Sequence, residues 1–353
     1  MKTVFIAFTL KDSSVAEFFT AISNRLAQDY KVIIISYQTE KHSLPLDPQI
    51  ETMEWPSKRP TKLKDLFFIG RLVYKYKPFM MISNFAAVNF FLLTGFLFGI
   101  KKRISWYHTH SSAHITENKF NLWRKSMIYK LATKIVTTSA AAKEDISKHY
   151  NLKEKKISIL PNAVIEPKII KGDIDPLKLI FVGRLHPAKG FEVLIKALPK
   201  VILKYPQLKV EVLGGGPQEI QKFTKMAKDL SVLNHLNFKG FTSKNKFIEE
   251  LAKAYVCVVP SYFEAFCYVV IESFSVATPV IGSDTTGVAE IIEDGISGYL
   301  FQPGNYIELS EKLLKLLDNP RQRKEMAANT FDTFKDKFEL CKIVENFMEL
   351  TDA

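Results

Sequence analysis

Short runs of β-branched and aromatic residues alternate with longer amphipathic stretches along the first half of the chain: VFIAF, a helical Val15–Asp29, KVIIIS, FMMIS, RISWY and KIVTTS. This is the rhythm of βαβ units, whose parallel strands are buried on both faces and read as continuous apolar runs. It pauses over residues 161–176, where three prolines and a glycine separate a short strand (KISIL) from a fresh one (KLIFVG), and a linker is expected there. The pattern restarts with LIFVG, Phe191–Tyr205, LKVEVLG, Glu219–Leu230, LNFKG, Lys244–Ala254, VCVVP, Val269–Val276 and TPVIG. An α/β chain of two doubly wound, parallel-sheet, Rossmann-like domains follows. Past Pro303 the chain reads helical, with breaks near Pro320 and near Lys335–Phe338. The last segment places Phe338, Cys341, Val344 or Ile343, and Met348 on one face that needs an apolar surface to cover.

The run Pro78–Ile100 holds no charged residue over 23 positions, long enough to span a bilayer. Ser83-Asn84 and Asn89 interrupt it, and PFMMIS followed by AAVNFFLLTGFLFG divides into a strand and a buried helix. The N-terminal MKTVFIAFTLKDSS has one Lys before its apolar run and no small-residue cleavage site, so it reads as a buried strand and not a signal peptide. A length of 353 residues is a soft prior for two domains, and 47% hydrophobic with 24% charged residues is ordinary for a folded protein. Cys257, Cys267 and Cys341 form no CxxC pair, which argues against a disulfide framework or a zinc site and for a reducing, cytoplasmic compartment. The net charge of +12 is unevenly spread: residues 1–172 carry 27 Lys and Arg against 13 Asp and Glu. Such asymmetry points the first half at an anionic membrane leaflet, a phosphorylated substrate or a nucleic acid.

Ligands of open α/β sheets bind beyond the carboxyl ends of the strands, so the segments after each strand carry the candidate chemistry. The first strand is followed by LKDSS, without the GxGxxG of a dinucleotide site, and no GxxxxGKS/T phosphate loop occurs. After LIFVG come Gly183, Arg184 and, five residues on, Lys189, leading into a helix. A fork of guanidinium donors, an ammonium and helix N–H groups would meet an anion there, which suits a diphosphate. A phosphate ~4 Å from one such cation gains roughly 4 kcal/mol at an effective dielectric of about 20, before desolvation. Gly214-Gly215-Gly216-Pro217 follows the next strand and permits a close backbone approach. Ser261 to Cys267 then opens a helix containing Glu272, eight residues beyond Glu264, a separation of up to ~12 Å along a helix axis. One acid could accept from ribose hydroxyls and the other address a sugar, with the N–H groups of Ala265, Phe266 and Cys267 as donors.

Taken in order, FVGRLHPAKG, GGGP, FKG, PSYFEAFCYVVIES and TPVIGSDTTGVAEII with DGISGYLF resemble the second domain of retaining glycosyltransferases of family 4, the group 1 type with the GT-B fold. The match runs through roughly Leu179–Pro303. It implies two Rossmann-like domains facing a central cleft: residues 1–172 for the acceptor, joined by a C-terminal helix at 336–353, and residues 173–335 for a nucleotide-sugar donor. It implies that Arg184 and Lys189 hold the donor diphosphate, that Glu264 lies near the donor hexose and that Glu272 lies on the ribose. The family's phosphate-facing glycine turn corresponds to Thr286-Gly287-Val288, and its PNG-V turn to Pro161-Asn162-Ala163-Val164. Ala265 and Cys267 stand where the family often has Gly, which tightens the donor sugar pocket. In the first half the family keeps a His near the transferred sugar, and SWYHTHS offers His108, with His110 close behind. Asp173-Ile174-Asp175 looks like a metal-binding DxD but lies in the linker, so it is read as accidental.

The resemblance implies retaining, metal-independent transfer of a hexose-type sugar from a nucleoside-diphosphate sugar, UDP being the expected base, to a hydroxyl acceptor. Residues 57–77 and 119–134 each mix Lys and Arg with Trp, Phe, Leu and Ile, a pattern suited to an anionic membrane surface or to two ordinary helices packing on the sheet. A lipid-linked or cell-envelope glycan is the expected acceptor, with the enzyme cytoplasmic or peripheral at the inner membrane face. The rivals are a sugar-nucleotide epimerase or hydrolase of the same fold, and a polyanion binder driven by the basic half. No nucleic acid partner is expected.

Overall fold

The computed structural model describes residues 1–39, 43–108, 118–168 and 173–352. The chain divides into two units, residues 1–163 with 340–353 and residues 164–339. The first division falls inside the expected linker, nine residues before the domain boundary expected at 172, where the Val164 N–H donates to the Phe338 carbonyl and ties the segment to the second unit.

The first unit is a seven-stranded parallel sheet of order β3-β2-β1-β4-β5-β6-β7. Its strands are β1 (Thr3–Ala7), β2 (Lys31–Ser36), β3 (Glu51–Glu54), β4 (Met80–Ser83), β5 (Lys102–Tyr107), β6 (Lys134–Thr137) and β7 (Ile157–Ile159). Helices α1 (Ser14–Ala27), α2 (Leu63–Tyr76), α3 (Val88–Leu97), α4 (Lys119–Lys130) and α5 (Ala140–Tyr150) connect them. Ser13 caps α1 by accepting the Ala16 N–H at 3.2 Å, and the helix then buries Phe18, Phe19, Ile22 and Leu26 on the sheet. Each such side chain contributes about 1.5–3 kcal/mol of burial.

The second unit has a six-stranded parallel sheet of order β10-β9-β8-β11-β12-β13. It comprises β8 (Lys178–Val182), α6 (Phe191–Lys204), β9 (Lys209–Leu213), α7 (Pro217–Asp229), β10 (Leu236–Gly240), α8 (Lys244–Ala252), β11 (Val256–Val259), α9 (Tyr268–Ser275), β12 (Val280–Ser283), α10 (Thr286–Ala289) and β13 (Gly298–Phe301). Helices α11 (Tyr306–Leu317) and α12 (Pro320–Lys337) close it, and α13 (Leu340–Asp352) belongs to the first unit.

Both sheets are doubly wound, as the apolar runs predicted, and two short strands fall outside the prediction. β3 (ETME) is an edge strand whose alternate residues are exposed, so its pattern is polar. β13 is a four-residue edge strand beginning at a glycine. The uncharged run 78–100 resolves into β4, a single 3-10 turn at Phe85–Ala87 and the ten-residue α3. Among the described residues no helix is long and apolar enough to cross a membrane. On α13 the buried face is Leu340, Ile343, Val344, Phe347 and Met348, whereas Cys341 is exposed and Phe338 lies in the second unit's core. The one-face reading fails at those two positions because the helix begins after Phe338, so its phase is set from Leu340.

Candidate functional site

Strand order reverses between β8 and β11, and the carboxyl ends of two such strands are where a doubly wound sheet holds ligands. The turn after β8, residues 183–190, and the turn after β11, residues 260–267, lie there side by side. Tyr262 donates its backbone N–H to the Ala188 carbonyl at 2.9 Å. Gly190, at φ +62°, sits so close to Pro260 that an added Cβ would fall 2.0 Å from its carbonyl oxygen. Across this seam Lys189 Nζ meets Glu264 Oε1 at 2.5 Å.

Glu264 is 8% exposed and heavily tethered at one oxygen. Ser261 Oγ donates to Oε1 at 2.8 Å, and the Cys267 thiol lies 3.9 Å from the same atom. No partner among the described residues engages Oε2, which leaves it to accept from a ligand hydroxyl. Burial, reinforced by the Glu264 charge, pushes the Cys267 thiol well above its usual pKa, so it stays a neutral weak donor. Arg184 is exposed, and no ion pair among the described residues occupies its guanidinium. The backbone N–H groups of Ala265, Phe266 and Cys267, just ahead of α9, donate to no protein acceptor among the described residues. Free N–H groups at a helix start, with the Lys189 ammonium in the adjoining turn, can receive an anion.

Glu272 lies on α9, 3% exposed, with Lys244 Nζ 4.0 Å from its Oε1. Lys244 and Ser261 were not singled out from sequence, since their relevance comes from partners 28 and three residues away. The glycines behave differently from the expectation. Gly183 N–H donates to the Leu213 carbonyl, and Gly216 N–H to Glu219 Oε2 at the start of α7. An added Cβ on Gly214 would meet the Gly183 carbonyl at 2.0 Å, and one on Gly215 the Leu185 side chain at 2.5 Å. The close approach that this run of glycines permits is therefore to the neighbouring turn. Gly287 and Val288 present no free N–H, because they donate to the Glu264 and Thr285 carbonyls at 3.0 and 2.9 Å. Gly287 serves instead as the point where α10 touches the 264–266 backbone. Asp175 Oδ1 accepts the Leu177 N–H, which makes the DID sequence a turn before β8.

Two expected residues lie in the first unit. Asn162 is buried, its Oδ1 without a partner. His108 follows β5, its Nε2 2.8 Å from Asn84 Oδ1 and its ring stacked on Phe85 with centroids 4.6 Å apart. His110 lies outside the described residues. Burial of the His108 ring pushes its pKa down to about 3. The imidazole is thus expected to stay neutral from about pH 5 to 8, and an NMR titration midpoint near the usual ~6.5 would contradict its enclosure. Its contribution to stability is complete above pH ~6.5 and is lost as pH falls toward about 3, where the unfolded chain binds a proton the native ring refuses.

Two parallel α/β units, the second carrying a cation-bearing turn at its switch point, define the GT-B class. Anabaena HepE, solved with UDP and glucose, has this fold: it matches over 100% of each chain at a TM-score of 0.82 and 16% identity. The sequence matches the family described as Glycosyltransferase Family 4 over residues 15–165 and that described as Glycosyl transferases group 1 over residues 165–333. The chain belongs to the family 4, group 1 glycosyltransferases. An uncharacterized glycosyltransferase of Haemophilus influenzae is 25% identical over 92% of both chains. A D-inositol 3-phosphate glycosyltransferase of Nocardiopsis dassonvillei is 25% identical over 60% of this chain, which there spans about half, 54%, of the relative's length.

Proposed function

We propose that the protein transfers a hexose-type sugar from a nucleoside-diphosphate sugar, UDP being the favoured base, to a hydroxyl acceptor with retention and without a metal. The observation that carries this reading is the joined pair of turns in the second unit. The turn that carries Arg184 and Lys189 is hydrogen-bonded to the turn that carries three free N–H groups, and Lys189 meets Glu264 across the seam, leaving the second oxygen of Glu264 open. HepE, of the same fold, has been solved with UDP and glucose and with UDP-glucose.

In the reaction the bond between the anomeric carbon and the β-phosphate oxygen breaks, and negative charge grows on the departing diphosphate. Arg184, Lys189 and the N–H groups before α9 meet that charge, and because Lys189 and the N–H groups are already held in place, stabilisation by them needs little reorganisation. The acceptor oxygen attacks from the face the phosphate leaves, and its proton passes to a phosphate oxygen. Glu264 Oε2 takes a hexose hydroxyl, while Glu272, steadied by Lys244, takes the ribose. Thermal shift with a panel of sugar nucleotides tests the donor site: stabilisation by a nucleoside diphosphate and its sugar is expected, and no shift by any member would refute the reading. Release of free sugar or an epimer from donor alone, at the rate seen with acceptor, would favour the hydrolase or epimerase.

The acceptor we propose is lipid-linked or part of the cell envelope, with the first unit resting on an anionic membrane from the cytoplasmic side. α4 buries none of its residues, and α2 points Phe67 and Tyr74 outward at 75% and 72% exposure. Trp123 on α4 is 61% exposed between Leu122 and Arg124. Aromatic and basic side chains so mixed favour an anionic interface. Flotation with phosphatidylglycerol vesicles is expected, reduced several-fold in the Phe67→Ser/Trp123→Ser double variant. Absence of lipid-dependent association would remove the membrane contact.

A further inference from the structure

The strand order of the first sheet reverses between β1 and β4, and a cavity of about 710 Å3 opens at that switch point. Its floor is the ends of β1, β2 and β4, and its rim is the loop running from β3 to α2. Switch-point cavities are where doubly wound sheets hold ligands. Three cations, Lys58, Arg59 and Lys62, line it, and no Asp or Glu does. All three are exposed, and none forms an ion pair among the described residues. The loop that carries them is held in place: Lys64 Nζ donates to the Pro56 carbonyl at 2.8 Å, and the buried Asp65 accepts the Lys62 N–H at 3.0 Å.

Deeper in, Asn84 lines the cavity while only 2% exposed, and its Nδ2 has no hydrogen-bond partner although its Oδ1 is engaged by His108. Ser57 Oγ, also on the lining, is buried and unpaired as well. Buried polar atoms left without partners destabilise the empty cavity, and a ligand that supplies partners removes that cost. Phe85, next to Asn84, holds the left-handed conformation at φ +48° and keeps its ring 54% exposed against the cavity, backed by His108. A residue with a Cβ is strained in that conformation. An exposed ring so placed is a platform for the apolar face of a sugar.

We propose that this cavity binds the acceptor, and that the acceptor carries a phosphate ester. Lys58, Arg59 and Lys62 take the phosphate, Asn84 Nδ2 and Ser57 Oγ take hydroxyls, and Phe85 packs under the ring. The assignment rests on the glycosyl-transfer reading above, and it narrows the acceptor to an anionic one. A phosphate ester can arrive on a soluble sugar or on a lipid, and the cavity's chemistry is shared by both.

The test titrates glucose 6-phosphate, glucose and UDP separately into the full chain, its Lys58→Ala/Arg59→Ala variant and its Arg184→Ala variant. Phosphatidylglycerol and phosphatidylcholine vesicles form a second arm. The exposed loop cations are not needed for folding, which circular dichroism verifies. Glucose 6-phosphate is expected to bind at least tenfold more tightly than glucose, to lose at least tenfold in the double variant and to bind unchanged in Arg184→Ala. UDP is expected to show the reverse dependence. Loss of phosphatidylglycerol binding in the double variant, with no soluble ester bound, supports a lipid-borne phosphate in the cavity. Three results overturn the proposal: glucose binding as tightly as its phosphate, phosphate-dependent binding lost in Arg184→Ala but kept in the double variant, or none in either arm. Failure of UDP to bind the unmodified chain refutes the donor reading instead and leaves the cavity's result readable.

Discussion

Arg184→Ala is expected to lower sugar transfer by about 10^2–10^3-fold with the thermal unfolding midpoint unchanged, and Lys189→Ala to lower both. The two cations share a turn but not an environment. Arg184 is exposed and makes no ion pair among the described residues, so its removal takes nothing from the ligand-free protein beyond the ±0.5 kcal/mol usual for a surface change. Lys189 is the charged partner of Glu264, a carboxylate 8% exposed. Without the ammonium, Ser261 alone makes a normal hydrogen bond to Oε1, and the buried charge loses its compensation at a cost of about 1–3 kcal/mol. Both variants are expected to lose transition-state stabilisation, since in the proposed reaction each removes one cation from the departing diphosphate. Transfer rates measured beside unfolding midpoints separate the two. Near-normal turnover in both variants would sink the donor-site assignment.

The placing of the second unit's candidate residues is readable because each lies in a turn that directly follows a strand. Arg184 and Lys189 stand in the turn between β8 and α6, and Glu264 in the turn between β11 and α9, so strand periodicity alone puts them at the sheet edge. What no local pattern carries is how one turn meets another. Gly190 matters through Pro260, Lys189 through Ser261 and Glu264, and Gly287 through the backbone it touches, 21 to 23 residues earlier in the chain. The first unit shows the same limit more sharply. β3 reads as polar because it is an edge strand, so residues 57–77 looked like one continuous basic amphipathic stretch. With the strand in place, residues 57–62 become a loop at a strand's carboxyl end, and its three cations face a cavity in addition to the solvent. Phase errors had the same origin. Cys341 falls in with Phe338 on the sequence pattern because a helix break two residues wide cannot be located by period.

Gly190→Ala is expected to cost about 2–5 kcal/mol and to abolish most transfer, more than any other single methyl group placed in this turn. Two independent penalties add at this position. The left-handed φ of +62° costs a residue with a Cβ about 1–2 kcal/mol, and the methyl would lie 2.0 Å from the Pro260 carbonyl oxygen, a contact that backbone alone must relieve. Relief means moving the 183–190 turn off the 260–264 turn, which breaks the Tyr262 to Ala188 hydrogen bond and draws Lys189 from Glu264. A displacement of about 1 Å at a charge-stabilising group can cost about 10^2-fold in rate. Two further glycines divide the penalties. Gly295→Ala meets nothing within 4 Å and has φ +81°, so strain alone acts there: a loss of about 1–2 kcal/mol with transfer intact. Gly287→Ala meets the Glu264 carbonyl oxygen at 2.5 Å and the Phe266 nitrogen at 2.7 Å without a left-handed φ, so crowding alone acts, at about 1–3 kcal/mol. Transfer should fall in Gly190→Ala and Gly287→Ala, which displace Glu264 or Lys189, and persist in Gly295→Ala. If Gly190→Ala unfolds and turns over like the unmodified protein, the seam between the two turns does not hold the site.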